Sequence, residues 1–227
     1  MKNHMKHLFL FSFFLFSLTC ICQNQVKIEY AYTSYYEPEK ADKNDLKAQT
    51  VHKVFKSAEE LSFLLIFDGN KSLFKVKERM AIGNKSGSLA RMLPRYYVDF
   101  SDNSVYSLHE MPGETFFVKQ EIENNWQITS EQNKIYGYEC KKAILLDKEG
   151  NKKVEAWFTP NIPVNIGPLE SYGLPGLILL TKSFNKKGEA YAGFSVIDID
   201  FSKQKEIEIL DLEPITFEEY IEKTKRS

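Results

Sequence analysis

The chain has 227 residues and a formal net charge of −1, with 27% charged and 14% aromatic residues. That length is enough to bury a sizeable core in one large domain or two small ones. The near balance of charge argues against nucleic acid or another polyanion as the main partner, and the aromatic content argues against general disorder.

The N-terminus carries Lys2 and Lys6 ahead of an apolar run from Leu8 to Leu18, broken by Ser12 and Ser17 and followed by Cys20 and Cys22. This is the pattern of a secretory signal peptide over residues 1–22, cut before Gln23. The run is shorter than the ~20 apolar residues that a membrane-spanning helix needs. Two alternatives stay open: an uncleaved membrane anchor, and lipidation at Cys20, against which the bulk of Thr19 argues. Cleavage removes Lys2 and Lys6, so the net charge falls from −1 to −3. Cys140 is then the single cysteine and no internal disulfide can form. A lone exported thiol packs as a small apolar residue, reacts, or pairs between chains, and packing is the simplest reading. Lipidation at Cys20 would instead retain Cys22, which could pair with Cys140.

Val26, Ile28, Tyr30 and Tyr32 alternate with Lys27, Glu29 and Ala31, which predicts a strand with one buried face. Residues 36–48 are polar without a clean period and read as a loop. Asp68-Gly69 separates two apolar runs and predicts a hairpin. Residues 83–95 are rich in breakers and read as a long loop. A second hairpin follows with its bend at Ser101-Asp102-Asn103, then strands at 115–123 and 126–132, then a hairpin about Lys148-Glu149-Gly150-Asn151. The run 190–201 alternates again. In the tail, Thr216 and Glu219 form a capping box after Pro214, and Phe217, Tyr220 and Ile221 share one helical face. Short strands joined by hairpin turns predict a mainly β fold: a curved antiparallel meander or partial barrel with a C-terminal helix. Residues 23–227 show neither repeat nor linker and read as one domain.

The stretch Gly173-Leu174-Pro175-Gly176-Leu177-Ile178 predicts a type II turn, with Pro175 and Gly176 at its central positions. The turn feeds a strand buried on both faces over Leu177 to Leu180. A phosphate-cradling loop is the disfavoured alternative, because no Lys-Ser/Thr directly follows the glycines and their spacing does not match. These six residues resemble the signature of the GLPGLI family of exported bacterial proteins. Tyr138-Glu139-Cys140-Lys141-Lys142-Ala143, then 156–164, then Gly167-Pro168 are similar to that family's other blocks, so the resemblance covers about residues 130–181. It implies an exported envelope protein of a Gram-negative bacterium, with no assigned catalytic activity. The Tyr-x-Cys-Lys-Lys strand followed by Val-x-Ala-Trp also resembles lipoprotein carriers whose curved half-barrel holds an acyl chain.

Beyond the signal segment only His52 and His109 are available for acid–base work. Neither sits in a recognisable triad or nucleophile elbow, and no catalytic residue is assigned. No metal-ligand spacing occurs, and no metal or cofactor is expected. Asp198 and Asp200 line one strand face and read as solvated. Trp157 and Phe158 point to opposite faces, so one is core and the other is a candidate for a binding surface or cavity lining. Tyr96 and Tyr97 pose the same question, and Tyr172 lies beside the motif. The expected function is a non-catalytic, exported binding or carrier protein of the periplasm or outer membrane, for an apolar ligand or peptide. Competing readings are an envelope assembly factor, and a serine hydrolase using Ser86 or Ser88 with His52 or His109.

Overall fold

The computed structural model describes residues 25–36, 46–77, 93–101, 103–111, 113–120, 125–169, 171–202 and 205–225. The expected signal segment, the alternative lipidation site Cys20, the breaker-rich loop up to 92, and Ser86 and Ser88 lie outside them. The described residues form β1 (Val26–Ser34), α1 (Leu46–Ala58), β2 (Ser62–Phe67), β3 (Lys71–Val76), β4 (Arg95–Asp99), β5 (Ser104–Met111) and β6 (Glu114–Gln120). They continue with β7 (Trp126–Ile135), β8 (Tyr138–Leu146), β9 (Lys152–Thr159), β10 (Leu177–Phe184), β11 (Ala190–Asp200) and α2 (Phe217–Lys225).

All eleven strands join one open antiparallel sheet in the order β6-β5-β4-β3-β2-β1-β11-β10-β9-β8-β7. Two meanders, β1 to β6 and β7 to β11, are zipped together where β1 pairs with β11. The edges β6 and β7 are consecutive in the chain, with only residues 121–125 between them. Six Cα steps reach at most about 21 Å, whereas a flat sheet of this many strands is about 48 Å wide. The sheet therefore curls until its edges approach each other. This is the expected curved, mainly β architecture, left unclosed.

Turn chemistry sets the hairpins. Asp68 Oδ1 accepts from the Asn70 and Lys71 amides at 2.9 and 2.8 Å, closing the β2–β3 bend. Tyr136 and Gly137 take φ of 50° and 82°, the two positive values that a two-residue hairpin loop demands. The motif turn differs from type II. Gly176 N–H donates to Leu174 C=O at 2.8 Å, which tightens the bend to three residues about Pro175. Leu177 N–H turns away to Ile162 C=O at 3.0 Å. The strand it feeds is internal, with Leu177, Ile178 and Leu179 all at 0% exposure.

Helix α1 is absent from the sequence-based reading, although Val51, Val54, Phe55 and Ala58 have helical spacing. Its attachment is aromatic. Phe55 stacks on Tyr36 at 5.5 Å and meets Tyr191 edge-on at 6.3 Å. The tail helix has the expected cap: Thr216 Oγ1 accepts from Glu219 N–H at 3.2 Å, and Glu219 Oε2 accepts from Thr216 N–H at 2.8 Å.

Candidate functional site

The concave face was the expected place for a ligand, and the protein's own chain packs against it. Its floor is Val26, Ile28 and Tyr30 from β1, Phe63, Leu65 and Phe67 from β2, Phe74 from β3, and Phe194 and Val196 from β11. Phe63 stacks on Phe74 at 5.6 Å, and Phe194 meets both edge-on at 5.1 and 5.3 Å. The connection from β9 to β10, residues 160–176, lies against this floor through Ile162, Val164 and Ile166. Tyr172 reaches across to Val98 of β4 and Val105 of β5.

Main-chain bonds hold the connection. Ile166 and Tyr172 form an antiparallel bridge. Gly173 N–H donates to Asn165 C=O, and Ile178 N–H to Ile166 C=O, both at 3.0 Å. Two distant side chains pin the connection and the start of β10 that it feeds. Trp126 Nε1–H of β7 donates to Tyr172 C=O at 3.0 Å, and the buried Tyr30 hydroxyl donates to Ile178 C=O at 2.6 Å. Burial raises the Tyr30 phenol far above its ordinary value, so it remains a donor at any working pH.

The candidate binding residues fall in different places. Phe158 is buried at 1% exposure among Ala143, Ala156, Leu174 and Ile178. Tyr97 is buried against Leu108, Phe117 and Ile207, and Tyr172 fills the bowl. Trp157 and Tyr96 are half-buried. Tyr96 shares its ladder position with Phe74 and Ser107, while Trp157 sits beside the Lys142 ammonium, which lies 5.9 Å from its ring centroid. The five residues thus do not form one surface. Gly173, Leu174, Pro175, Gly176, Leu177 and Ile178 form the turn and the first residues of β10. Trp126, which the sequence reading passed over, ties the edge strand to this turn.

His109 Nε2 and Ser107 Oγ are 2.8 Å apart on one face of β5. Ser107 has 0% exposure, so its hydroxyl is covered in this structure. His52 lies on α1 beside Tyr36. Asp200 is bound to Lys27 at 2.7 Å, and that contact with the Ser202 amide pulls its carboxyl down to about 2. Among the described residues no group of three or more His, Cys, Asp or Glu is arranged to hold a metal ion, and no helix is long and apolar enough to cross a membrane.

Cys140 is 1% exposed, its thiol donates to Tyr138 C=O at 3.4 Å, and burial pushes its pKa up. The nucleophile is the thiolate. Iodoacetamide at pH 7.5 is therefore expected to leave Cys140 unmodified in the folded chain and to modify it fully in denaturant, read by peptide mapping. Rapid native labelling would refute the packing role.

The two sheet edges are treated differently. At β6, Ile215 forms a parallel bridge with Val118. Its C=O accepts from Lys119 N–H, and its N–H donates to Phe117 C=O, both at 2.8 Å. Strand β7 pairs with β8 alone among the described residues. Its hairpin loop makes Ile135 and Tyr138 a hydrogen-bonded pair, and alternation then directs the main-chain groups of Lys134 and Gln132 outward, where the Lys134 N–H donates to Asn133 Oδ1 at 2.8 Å. At the other end Leu146 N–H donates to Asn125 C=O at 3.2 Å, so the groups of Trp126 and Ile128 also point outward. A bulge interrupts the ladder between Ile128 and Gln132. It is braced by Thr129 Oγ1 on Lys142 C=O and by an ion pair from Lys142 to Glu131 at 3.3 Å.

The sequence profile of a family described as a protein of unknown function, Porph_ging, matches residues 146–180. The matched stretch runs from the end of β8 through β9 and the motif turn into β10. It lies within the part of the chain that carries the GLPGLI resemblance, beyond the Tyr138–Ala143 block, and supports that resemblance at the level of a family. No curated protein matches the chain in sequence. Two crystal structures of PNGF-II are similar to it, both at 17% identity. The P21 form has a TM-score of 0.56 over 87% of this chain and 32% of that one, and the C2 form 0.48 over 82% and 28%. The chain thus spans less than a third of the length of PNGF-II, and the likeness is one of fold. A putative outer membrane lipoprotein-sorting protein domain from Vibrio parahaemolyticus has a TM-score of 0.32 and 7% identity, over 80% of this chain and 87% of that one.

Proposed function

We propose that the chain is a non-catalytic, exported binding protein of the bacterial cell envelope that takes an extended segment of a partner protein onto β7. The observation that carries this reading is the β7 edge, where the outward main-chain groups of Trp126, Ile128 and Gln132 and the Lys134 C=O offer a template for one more strand, the Lys134 N–H being taken by Asn133 Oδ1 at 2.8 Å. Ile128, 51% exposed, supplies an apolar contact beside it. The bulge limits the template to short stretches, which suits a short partner segment and opposes open-ended sheet extension. An apolar ligand in the bowl has a claim through the aromatic floor, but it would have to compete with Ile162, Val164, Ile166 and Tyr172 for that surface.

A photo-crosslinking residue at Ile128 in producing cells is expected to yield a discrete protein adduct, while one at Lys187, on the exposed β10–β11 turn, yields none. Gln132→Pro removes an outward donor without touching the inner ladder. A main-chain bond is worth about 0.5–1.5 kcal/mol, so the adduct should fall about fivefold with thermal stability nearly unchanged. Equal adducts from Ile128 and Lys187 would defeat the edge proposal. A stoichiometric lipid on the purified chain, seen by native mass spectrometry, would favour the carrier.

A further inference from the structure

The C-terminal arm wraps the β6 edge from both faces. Ile207 packs on Tyr97, Leu108 and Phe117 on one face, and its N–H donates to Asp68 Oδ2 at 2.7 Å. The chain then crosses the edge at Ile215. Helix α2 comes to rest on the opposite face, where Tyr220 meets Phe116 edge-on at 5.4 Å and lies over the His109 ring at 4.5 Å. His109 and Phe116 are cross-strand partners, so this one pair of side chains forms the seat for Tyr220. None of the α2 side chains is fully buried, and Phe217 is 51% exposed. The helix is held by a few contacts, and His109 is central among them.

We propose that residues 207–225 form a strap over the β6 edge that acidification loosens, with His109 as the proton-sensing contact and Tyr220 as its partner on α2. Neutral His109 accepts or donates one hydrogen bond with Ser107 and offers a flat, uncharged ring to Tyr220. Adding a proton places a charge in a half-buried seat that Phe116 and Tyr220 shield from water. Glu110 on β5 is turned to the other face, where it binds Arg95 at 2.6 Å, and Glu219 on α2 is tied to the Thr216 amide. Burial, not a neighbouring charge, lowers the proton affinity of His109. The contribution of a histidine lowered in this way is present above its unfolded-state pKa and is lost as pH falls through the folded value. Loosening the strap frees the Phe117 and Lys119 main-chain groups that Ile215 occupies, which opens a second edge for strand addition.

Amide exchange of the full chain, compared at pH 7.5 and 5.0 after correction for intrinsic rates, tests this. Protection of residues 217–225 and of the Lys119 amide should fall at least about fivefold at the lower pH, while β1 and β2 keep theirs. His109→Gln keeps a partner for Ser107 and cannot charge, so its α2 protection should not respond to pH. If that variant does not fold, nuclear magnetic resonance of the unmodified chain serves instead. His109 and α2 signals should then titrate together, with a midpoint below the ordinary histidine value of about 6.5. Unchanged α2 protection at pH 5.0, an equal loss in His109→Gln, or separate midpoints for His109 and α2 would overturn the proposal.

Discussion

Gly176→Ala is expected to be among the most destabilising single substitutions in the chain. Gly176 has a φ of +151°, and a Cβ placed there would lie 2.1 Å from Thr159 C=O and 2.9 Å from the Pro160 nitrogen. Both obstacles are backbone, so no rotamer change relieves them. The left-handed half of backbone space alone costs a side-chain-bearing residue about 1–2 kcal/mol. Separating the end of β9 from the start of β10 adds to that, and a total above about 3 kcal/mol is expected. For a chain of this size the melting temperature should fall by roughly 10 °C. Gly188→Ala is the matched control. Its φ is also positive, at +76°, but nothing lies within 4 Å of the added carbon. It should lose only about 1 kcal/mol. Calorimetry of both variants checks the claim, and a Gly176→Ala chain melting within about 2 °C of the parent would refute the close-approach argument.

Phe158→Ala should cost about 3–5 kcal/mol, the usual range for emptying a buried aromatic site. Phe158 touches Ala143, Ala156, Leu174 and Ile178. Two of those neighbours are alanines, too short to reach into the space left behind. Trp157→Ala, on the neighbouring position, removes a half-buried ring that packs at the margin of the main core and makes a cation–π pair with Lys142. Because that ring is only half-buried, the change should cost less in stability than Phe158→Ala. The pair of variants separates packing from recognition: a Phe158→Ala chain with parental stability but altered partner adducts would return Phe158 to a binding surface.

The β-strands were legible because their signals are local. Val26, Ile28 and Tyr30 alternate, Asp68-Gly69 punctuates, and the Thr216 and Glu219 cap announces its helix; each is a property of a few consecutive residues. Helix α1 had a signal too, in the spacing of Val51, Val54, Phe55 and Ala58, but its polar surroundings obscured it. The motif turn was legible as a turn and not as its type. Its geometry depends on Ile162, which takes the Leu177 amide and leaves Leu174 C=O to Gly176.

Nothing local marks Tyr97 or Phe158 as core in preference to Tyr96 or Trp157. Alternation tells that neighbours face opposite ways, but not which face is covered. That was decided by Ile207 packing on Tyr97 and by Leu174 packing on Phe158. Likewise no residue in 126–135 announces an edge strand. β7 is an edge because the two meanders join elsewhere, through β1 and β11, which lie more than 150 residues apart in the chain.

Strand period, turn chemistry and helix caps thus follow from the order of amino acids alone, because their energies involve neighbours along the chain. The zipping of β1 to β11, the filling of the bowl and the contrast between the strapped β6 edge and a β7 edge that pairs with β8 alone among the described residues follow from contacts between distant segments. Those contacts appear only when apolar faces made separately by each segment are buried against one another.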